Sequence, residues 1–376
     1  MNVLIISPFK IYPVRNGFQT RVYNLTKQIA RKNNVTLLYV NLDKTHDPND
    51  CNEYLPNVQK FEVRTSSRIM QLFHPILLIR GYRIIKEKEI DLIIAESNWA
   101  GVHALILHVL SGTPYILNEQ NAEYIRWKRM GKRMNGIVKF LEKYCCKYAK
   151  KVLCVSDIDK ELISNLGIAR EKIRVIPNGV DTSQFSPNTE QRIQVRNKHN
   201  ISVDAPVLLF SGSLSYLPNR QAVEIIYTSL INTIQNEIPD IKLLIVGANP
   251  PHEYIHEAIV YTGAVDKIES YINASDVVIA PLVSGGGTKL KIIEALACGK
   301  YVVTTKVGAE GLEDEKLKHY LRVVDDWDQF SLEVIRILKQ SNKTIARIDF
   351  MSHYSWDRIG ECLLLEISDE FILQEN

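Results

Sequence analysis

Short β-branched apolar runs alternate with helix-length segments along all 376 residues, and this constrains the fold more than any other feature. Strands joined through helices pair in parallel, because a parallel connection must cross over the sheet. Strands are expected at 3–7, 35–40, 91–96, 114–119, 151–156 and 173–177, and again at 207–212, 242–247, 260–263, 277–281, 301–305 and 321–324. Each half is long enough for a complete doubly wound sheet, and the length exceeds one ordinary core. The polar stretch 183–205 reads as the linker between them. The expected fold class is α/β: two Rossmann-like parallel-sheet domains facing a central cleft, with ligands received outside the carboxyl ends of the strands.

The most informative loop runs from Gly285 to Thr305, GGGTKLKIIEALACGKYVVTT. Gly285, Gly286 and Gly287 let backbone approach an anion closely, and Thr288 leads into a short amphipathic helix. The helix N-terminus offers free N–H groups and a positive dipole end to phosphate oxygens. Lys289 and Lys291 add full charge, and Glu294 is placed to accept bonds from ribose hydroxyls. The competing reading is a plain βαβ turn whose glycines serve only packing. Glu294 weighs against it, because a carboxylate within the apolar run IIEALA is costly unless paired or functional.

Apolar content of 45%, charged content of 24% and a net charge of +3 fit a globular protein that is not a nucleic-acid binder by charge. The six cysteines form no CxxC pair, which favours a reducing compartment. The opening MNVLIISPFK reads as a first strand rather than a signal peptide, and no apolar stretch is long enough for a bilayer span. A cytoplasmic location is expected.

Several further motifs occur in order. They are PxxxGxxxRxxxL (Pro13, Gly17, Arg21, Leu25), VSDxD (Val155 to Asp159), VIPNGVDTSQF (from Val175), FSGSLSYLPN (from Phe210), LLIVGANPP (from Leu243), YTGAV (from Tyr261), ASDVVIAPL (from Ala274), the glycine loop, and GAEGL (from Gly308). In this order the chain resembles a family-4 glycosyltransferase of the GT-B fold over nearly its whole length. The resemblance implies transfer of a sugar from a nucleotide-diphosphate donor to a glycan or lipid-linked acceptor, with retention at the anomeric carbon and no metal or other cofactor. It implies an acceptor-side domain over 1–186, a nucleotide-sugar domain over 187–354, and a closing helix over 355–376 that packs back on the first. Backbone at Ala264 and Val265 would meet the base, Glu294 the ribose, and Gly285 to Lys289 the diphosphate, with Gly17 approaching the phosphates from the other domain.

This chain departs from the family pattern at three places. The position eight before Glu294 is Gly286, where many members carry a glutamate. Ser213 stands where many have an arginine, and Pro218-Asn219 lies near the usual lysine. Gln120 replaces a histidine in an EHNxE-like stretch ending at Glu123. The charges implied for phosphate are then Lys289 first and Lys291 second, with Gln120 and Glu123 as acceptor-side candidates. Attack from the leaving-group face, with the diphosphate taking the acceptor's proton, would leave positioning and charge stabilisation to the protein.

His252-Glu253-Tyr254-Ile255-His256 is a literal HExxH, yet the short span before the next strand allows at most a short helix, so zinc is not expected. Residues 126–151 are rich in lysine and arginine with Glu142 the single acid, interleaved with Trp127, Met130, Met134, Phe140 and Tyr144. They read either as a solvated helix face or as a peripheral contact with an anionic membrane. A nucleotide-sugar epimerase and an inactive sugar-binding subunit remain alternative functions. A nicotinamide enzyme is disfavoured, because no GxGxxG follows either opening strand.

Overall fold

The structure is a computed structural model, and it describes residues 1–42, 55–65, 73–251, 253–340 and 353–372. Two compact units emerge, residues 1–178 with 356–376 and residues 179–355.

The first unit runs β1 (Asn2–Ser7), α1 (Gly17–Ile29), β2 (Asn34–Asn41), β3 (Val58–Arg64), α2 (Pro75–Glu87), β4 (Leu92–Glu96), α3 (Ser97–Ser111), β5 (Tyr115–Asn118), α4 (Glu123–Arg129), α5 (Asn135–Tyr148), β6 (Lys151–Cys154), α6 (Asp157–Ser164) and β7 (Ile173–Val175). Its sheet is parallel in the order β3-β2-β1-β4-β5-β6-β7. The sequence reading missed β3. That strand, VQKFEVR, lies at the sheet edge with several partly exposed positions, so it lacks the continuous apolar signature of a buried parallel strand.

The second unit runs α7 (Thr189–Lys198), β8 (Val207–Ser211), α8 (Leu217–Ile225), α9 (Ile231–Glu237), β9 (Lys242–Val246), β10 (Ile259–Gly263), α10 (Ile268–Ala274), β11 (Val277–Ala280), α11 (Leu290–Ala297), β12 (Tyr301–Thr304), α12 (Lys306–Ala309), β13 (Leu321–Val323) and α13 (Trp327–Leu338). Its parallel sheet has the order β10-β9-β8-β11-β12-β13. The chain then returns to the first unit as α14 (Trp356–Ile372). There α14 packs on α1, with Gly360 directly against the Gln28 side chain. Glu366 pairs with Lys151 at 2.8 Å.

The stretch read as a linker is structured instead. Val180 and Phe185 belong to the core of the second unit, and the Val180 N–H donates to the Tyr354 carbonyl at 2.8 Å. Helix α7 packs against α10 through an ion-paired centre. Fully buried Arg196 meets Asp276 at 3.0 Å and donates to the carbonyls of Ala274, Ser202, Val203 and Ala205, while Arg192 meets the other Asp276 oxygen at 2.8 Å. A helix within this stretch is compatible with the sequence, and its inward face sets Arg196 beside Val195.

Removing Asp276 would strand Arg196 without its counter-charge. Asp276→Ala should therefore cost about 3–5 kcal/mol, the penalty for breaking a buried pair. A urea unfolding curve should show the lower midpoint.

Candidate active site

In an open parallel sheet the ligand crevice lies where the strand order reverses, at the carboxyl ends. In the second unit that point lies between β8 and β11. Residues leaving those strands are drawn together there. Gly212 follows β8 with φ +147, and a Cβ on it would lie 2.5 Å from the Asn219 amide nitrogen and 2.9 Å from Lys291 Nζ. The Asn219 side chain joins the two sides: its Nδ2 donates to the Ser213 carbonyl at 2.8 Å, and its Oδ1 accepts from Lys291 Nζ at 2.9 Å. The Lys291 ammonium also lies 4.6 Å from the centroid of the Phe210 ring.

Lys291 therefore reaches from the first turn of α11 across to the end of β8. Burial, with Lys289 adding repulsion, pushes its pKa down to about 7. Glu294, one turn later, is pushed up to about 7 by burial, with Glu269 adding and Lys291 opposing. The Glu294 side chain makes no hydrogen bond among the described residues, while its carbonyl accepts from the Cys298 N–H at 3.1 Å. A largely buried lysine and an unbonded carboxyl facing one crevice form a place for a polar, anionic ligand.

The two lysines are placed differently. Lys289 is the N-cap residue of α11, and its Nζ donates to the Gly287 carbonyl at 2.5 Å and lies 3.9 Å from Glu310. Lys291 is the one placed against the end of β8. Gly285 (φ +112) and Gly287 (φ +64) have left-handed backbone, Gly286 is half-buried, and Thr288 is buried. The Gly285 Cα faces the Tyr216 hydroxyl and Pro218. The Ser213 hydroxyl bonds the Ser215 hydroxyl at 2.8 Å. Ala264 is exposed and Val265 half-buried just beyond Gly263, which ends β10 with φ +71.

Gly17, Gln120 and Glu123 belong to the first unit. Gly17 is exposed as the first residue of α1, whose N-cap Asn16 accepts from the Gln19 N–H at 3.1 Å. Gln120 is half-buried in the loop after β5, and its Nε2 is buried with no hydrogen-bond partner among the described residues. Glu123 is not an open carboxylate: Arg126 donates to both its oxygens at 2.5 and 2.7 Å, and the Trp99 indole N–H donates to it at 3.1 Å. Glu142, the lone acid of the basic stretch, is fully buried and accepts from the N–H groups of Glu123 and Tyr124 at 2.7 and 2.8 Å, capping α4. Asp159 of the VSDxD motif accepts from the Ala122 N–H at 3.1 Å.

Sequence reasoning missed Glu96. It ends β4 fully buried, accepts from Asn118 at 2.9 Å, and is raised to about 7 by burial against the opposing charge of Arg21. The clue was a glutamate closing the apolar run LIIAE. His252 lies outside the described residues; residues 253–258 form no helix, and His256 is bonded to Asn232 at 3.1 Å.

Comparison with known proteins agrees with this geometry. A model of glycosyltransferase family 4 matches residues 15–184, and a model of group 1 glycosyl transferases matches residues 205–340. The chain belongs to the family-4 glycosyltransferases. This transferase is 25% identical over 300 residues, 76% of each chain, to the UDP-Gal:alpha-D-GlcNAc-diphosphoundecaprenol alpha-1,3-galactosyltransferase of Escherichia coli. It is 25% identical to the O-antigen biosynthesis glycosyltransferase WbnH of Escherichia coli, over 71% of this chain and 77% of that one. Its fold is the GT-B fold. Sucrose-phosphate synthase from Thermosynechococcus elongatus superposes with TM-score 0.81 and 18% identity over 99% of both chains. HepE from Anabaena, in complex with UDP and glucose, superposes with TM-score 0.76 and 16% identity over 98% of this chain and all of that one.

Gly212→Ala tests the crevice without touching a charged group. The new methyl would push Asn219 and Lys291 aside and strain a left-handed backbone, costing about 1–3 kcal/mol. Thermal melts should show that loss, and a crystal structure should show Lys291 detached from Asn219.

Proposed function

We propose that this transferase moves a sugar from a nucleoside-diphosphate sugar to a hydroxyl of a glycan or lipid-linked acceptor, with retention at the anomeric carbon. The observation that carries this is Lys291, held by Asn219 at the β8–β11 crevice. It supplies from α11 the charge that Ser213, in the loop after β8, and Asn219, in the first turn of α8, do not supply. The relatives add support, since the Escherichia coli galactosyltransferase carries UDP-Gal and a diphosphoundecaprenol acceptor in its name.

In this reading the diphosphate sits on the α11 N-terminus, the Gly285–Thr288 backbone and Lys291. Ala264 and Val265 flank the base, Ser213 adds a hydroxyl, and Glu294 accepts from the ribose. As the bond from the anomeric carbon to the phosphate oxygen breaks, the acceptor oxygen bonds that carbon from the same face, and the leaving phosphate takes its proton. Negative charge grows on the phosphate in the transition state, where Lys291 acts; Lys289 supports the loop and the field. Gln120 orients a sugar hydroxyl, and Glu123 acts by holding Arg126 and Trp99. No divalent cation is needed.

Lys291→Met should weaken binding of the nucleotide sugar by about tenfold to a hundredfold, the range for a lost charged hydrogen bond, and Lys289→Met should do less. The reverse order in a calorimetric titration run in EDTA would reject the placement. Lys291 must hold a proton to meet phosphate, and burial lowers its pKa to about 7 in the protein alone. Affinity should therefore fall as pH rises above that value, with protons taken up on binding.

The basic stretch 126–151 supports the reading that the enzyme works at an anionic membrane surface. No helix among the described residues is long and apolar enough to cross a bilayer, so contact would be peripheral. Helix α5 and the residue before it present Met134, Ile137, Phe140, Tyr144 and Tyr148 along one face, each 36% to 59% exposed, with Lys139, Lys143 and Lys147 between them. Trp127 and Met130 are partly buried and contribute less. Apolar contact and cationic attraction then act together, each basic side chain contributing about 1 kcal/mol near such a surface. A variant with Lys139, Lys143, Lys147 and Phe140 changed to glutamate should lose salt-sensitive cosedimentation with phosphatidylglycerol vesicles while its melting temperature holds. Unchanged cosedimentation would leave the stretch as a solvated helix face.

A further inference from the structure

We propose that the indoles of Trp99 and Trp127 form a stacking platform for a pyranose ring of the acceptor, an assignment that rests on the transferase reading. Trp99 stands in the first turn of α3, directly after the carboxyl end of β4. Trp127 stands on α4, which the chain enters from the carboxyl end of β5 through Glu119, Gln120 and Asn121. Both therefore lie on the edge of the first sheet where such folds receive ligands. Their ring centroids are 5.6 Å apart with planes at 51°. Each packs partly on the core of its unit and keeps part of its surface open.

The pair is held in place before any ligand arrives. The Trp99 indole N–H donates to Glu123, whose carboxylate is fixed by Arg126, and the buried Glu142 carboxylate holds the backbone of Glu123 and Tyr124. Lys132 Nζ lies 4.4 Å from the centroid of the Trp127 ring. With the polar edge of Trp99 satisfied, its remaining exposed surface is apolar. A pyranose matches such a surface, because one of its faces carries axial C–H groups while its rim carries hydroxyls. Aromatic side chains bind ligands of this mixed character through the ring face and leave the rim to polar neighbours. Here those neighbours are the cationic side chains of Arg126 and Lys132. The same cations suit a phosphate attached to the sugar.

The test is saturation-transfer NMR on the whole protein with the methyl glycosides of glucose, galactose and N-acetylglucosamine. The expected result is saturation of ring C–H protons by the wild type, weakened about threefold to tenfold in Trp127→Ala, the range for a lost aromatic contact, and largely restored in Trp127→Phe. Trp127→Leu, which keeps apolar volume without the π face, replaces the alanine variant if that one does not fold, and should also lose saturation. Binding of UDP, measured by calorimetry in the same samples, should be unchanged by all three substitutions. Absence of saturation in the wild type, or equal saturation in the alanine or leucine variant, overturns the platform. A wild type that saturates glycosides but binds no UDP, UDP-sugar or other nucleoside diphosphate would instead sink the transferase reading and leave a sugar-binding surface standing.

Discussion

The guanidinium of Arg21 is completely buried in the first unit. It donates to the carbonyls of Ile176 and Pro177 at 2.8 and 2.9 Å and to the side chains of Asn178 and Asn118 at 3.0 and 3.1 Å. Asn118 passes the connection on to Glu96 at 2.9 Å. One side chain on α1 thus fixes the end of β5, the end of β4, and the last residues of the unit before the chain leaves it. A buried cation is tolerated only when acceptors meet most of its protons; the two terminal nitrogens make these four bonds while Nε has no partner among the described residues, so the segments cannot drift without leaving the charge further uncompensated. Burial lowers the Arg21 pKa to about 10 and raises Glu96 to about 7, a cost this geometry offsets with hydrogen bonds. The loops that carry Gly17 and Gln120 both start from elements held by this network.

The second unit applies the same rule with a different outcome. Arg196 and Asp276 are paired and bonded, and they hold α7 to the sheet. The side chains of Lys291 and Glu294 are less completely satisfied: the Lys291 ammonium has one hydrogen bond and an aromatic face, and the Glu294 carboxyl has no hydrogen bond among the described residues. A pair left in that state by the protein gains most when a ligand supplies phosphate oxygens to one and hydroxyls to the other. The missing loop cations and the helix lysine are then one arrangement, in which charge enters the site from α11.

Much of the fold could be read in advance because a parallel strand buried on both faces leaves a continuous apolar run. That signal is present in β1, β4, β8, β9 and β11. It is absent from β3, which has partly exposed positions at the sheet edge, and from α7, which buries arginine instead of leucine. The glycine loop and Glu294 were legible for a related reason, since a carboxylate within an apolar run stands out. Glu96 stood in a similar setting at the end of β4 and was passed over, because no motif surrounded it. The inward turn of Glu142 was not legible either: its neighbours are lysines, and only the packing of α5 on α4 decides that this one side chain faces the interior.

By itself the sequence determined the alternation of strand and helix, the two parallel sheets, the glycine loop ahead of α11, and a concentration of cations between 126 and 151. These follow from local periodicity and composition, which each segment carries without reference to the others. Only the tertiary structure decided which lysine enters the crevice. Lys289 is the extended N-cap residue and Lys291 lies inside the first turn, so the two side chains leave the backbone in different directions although their charges stay close enough to repel. Which of them faces the β8 end depends on how α11 is rotated against the sheet, and the apolar side chains of Ile292, Ile293 and Leu296 set that rotation by burying themselves. The orientation of the cationic stretch was decided in the same way. Val138, Glu142, Cys145 and Cys146 take the inward face of α5, and Phe140, Tyr144 and Tyr148 are left outside.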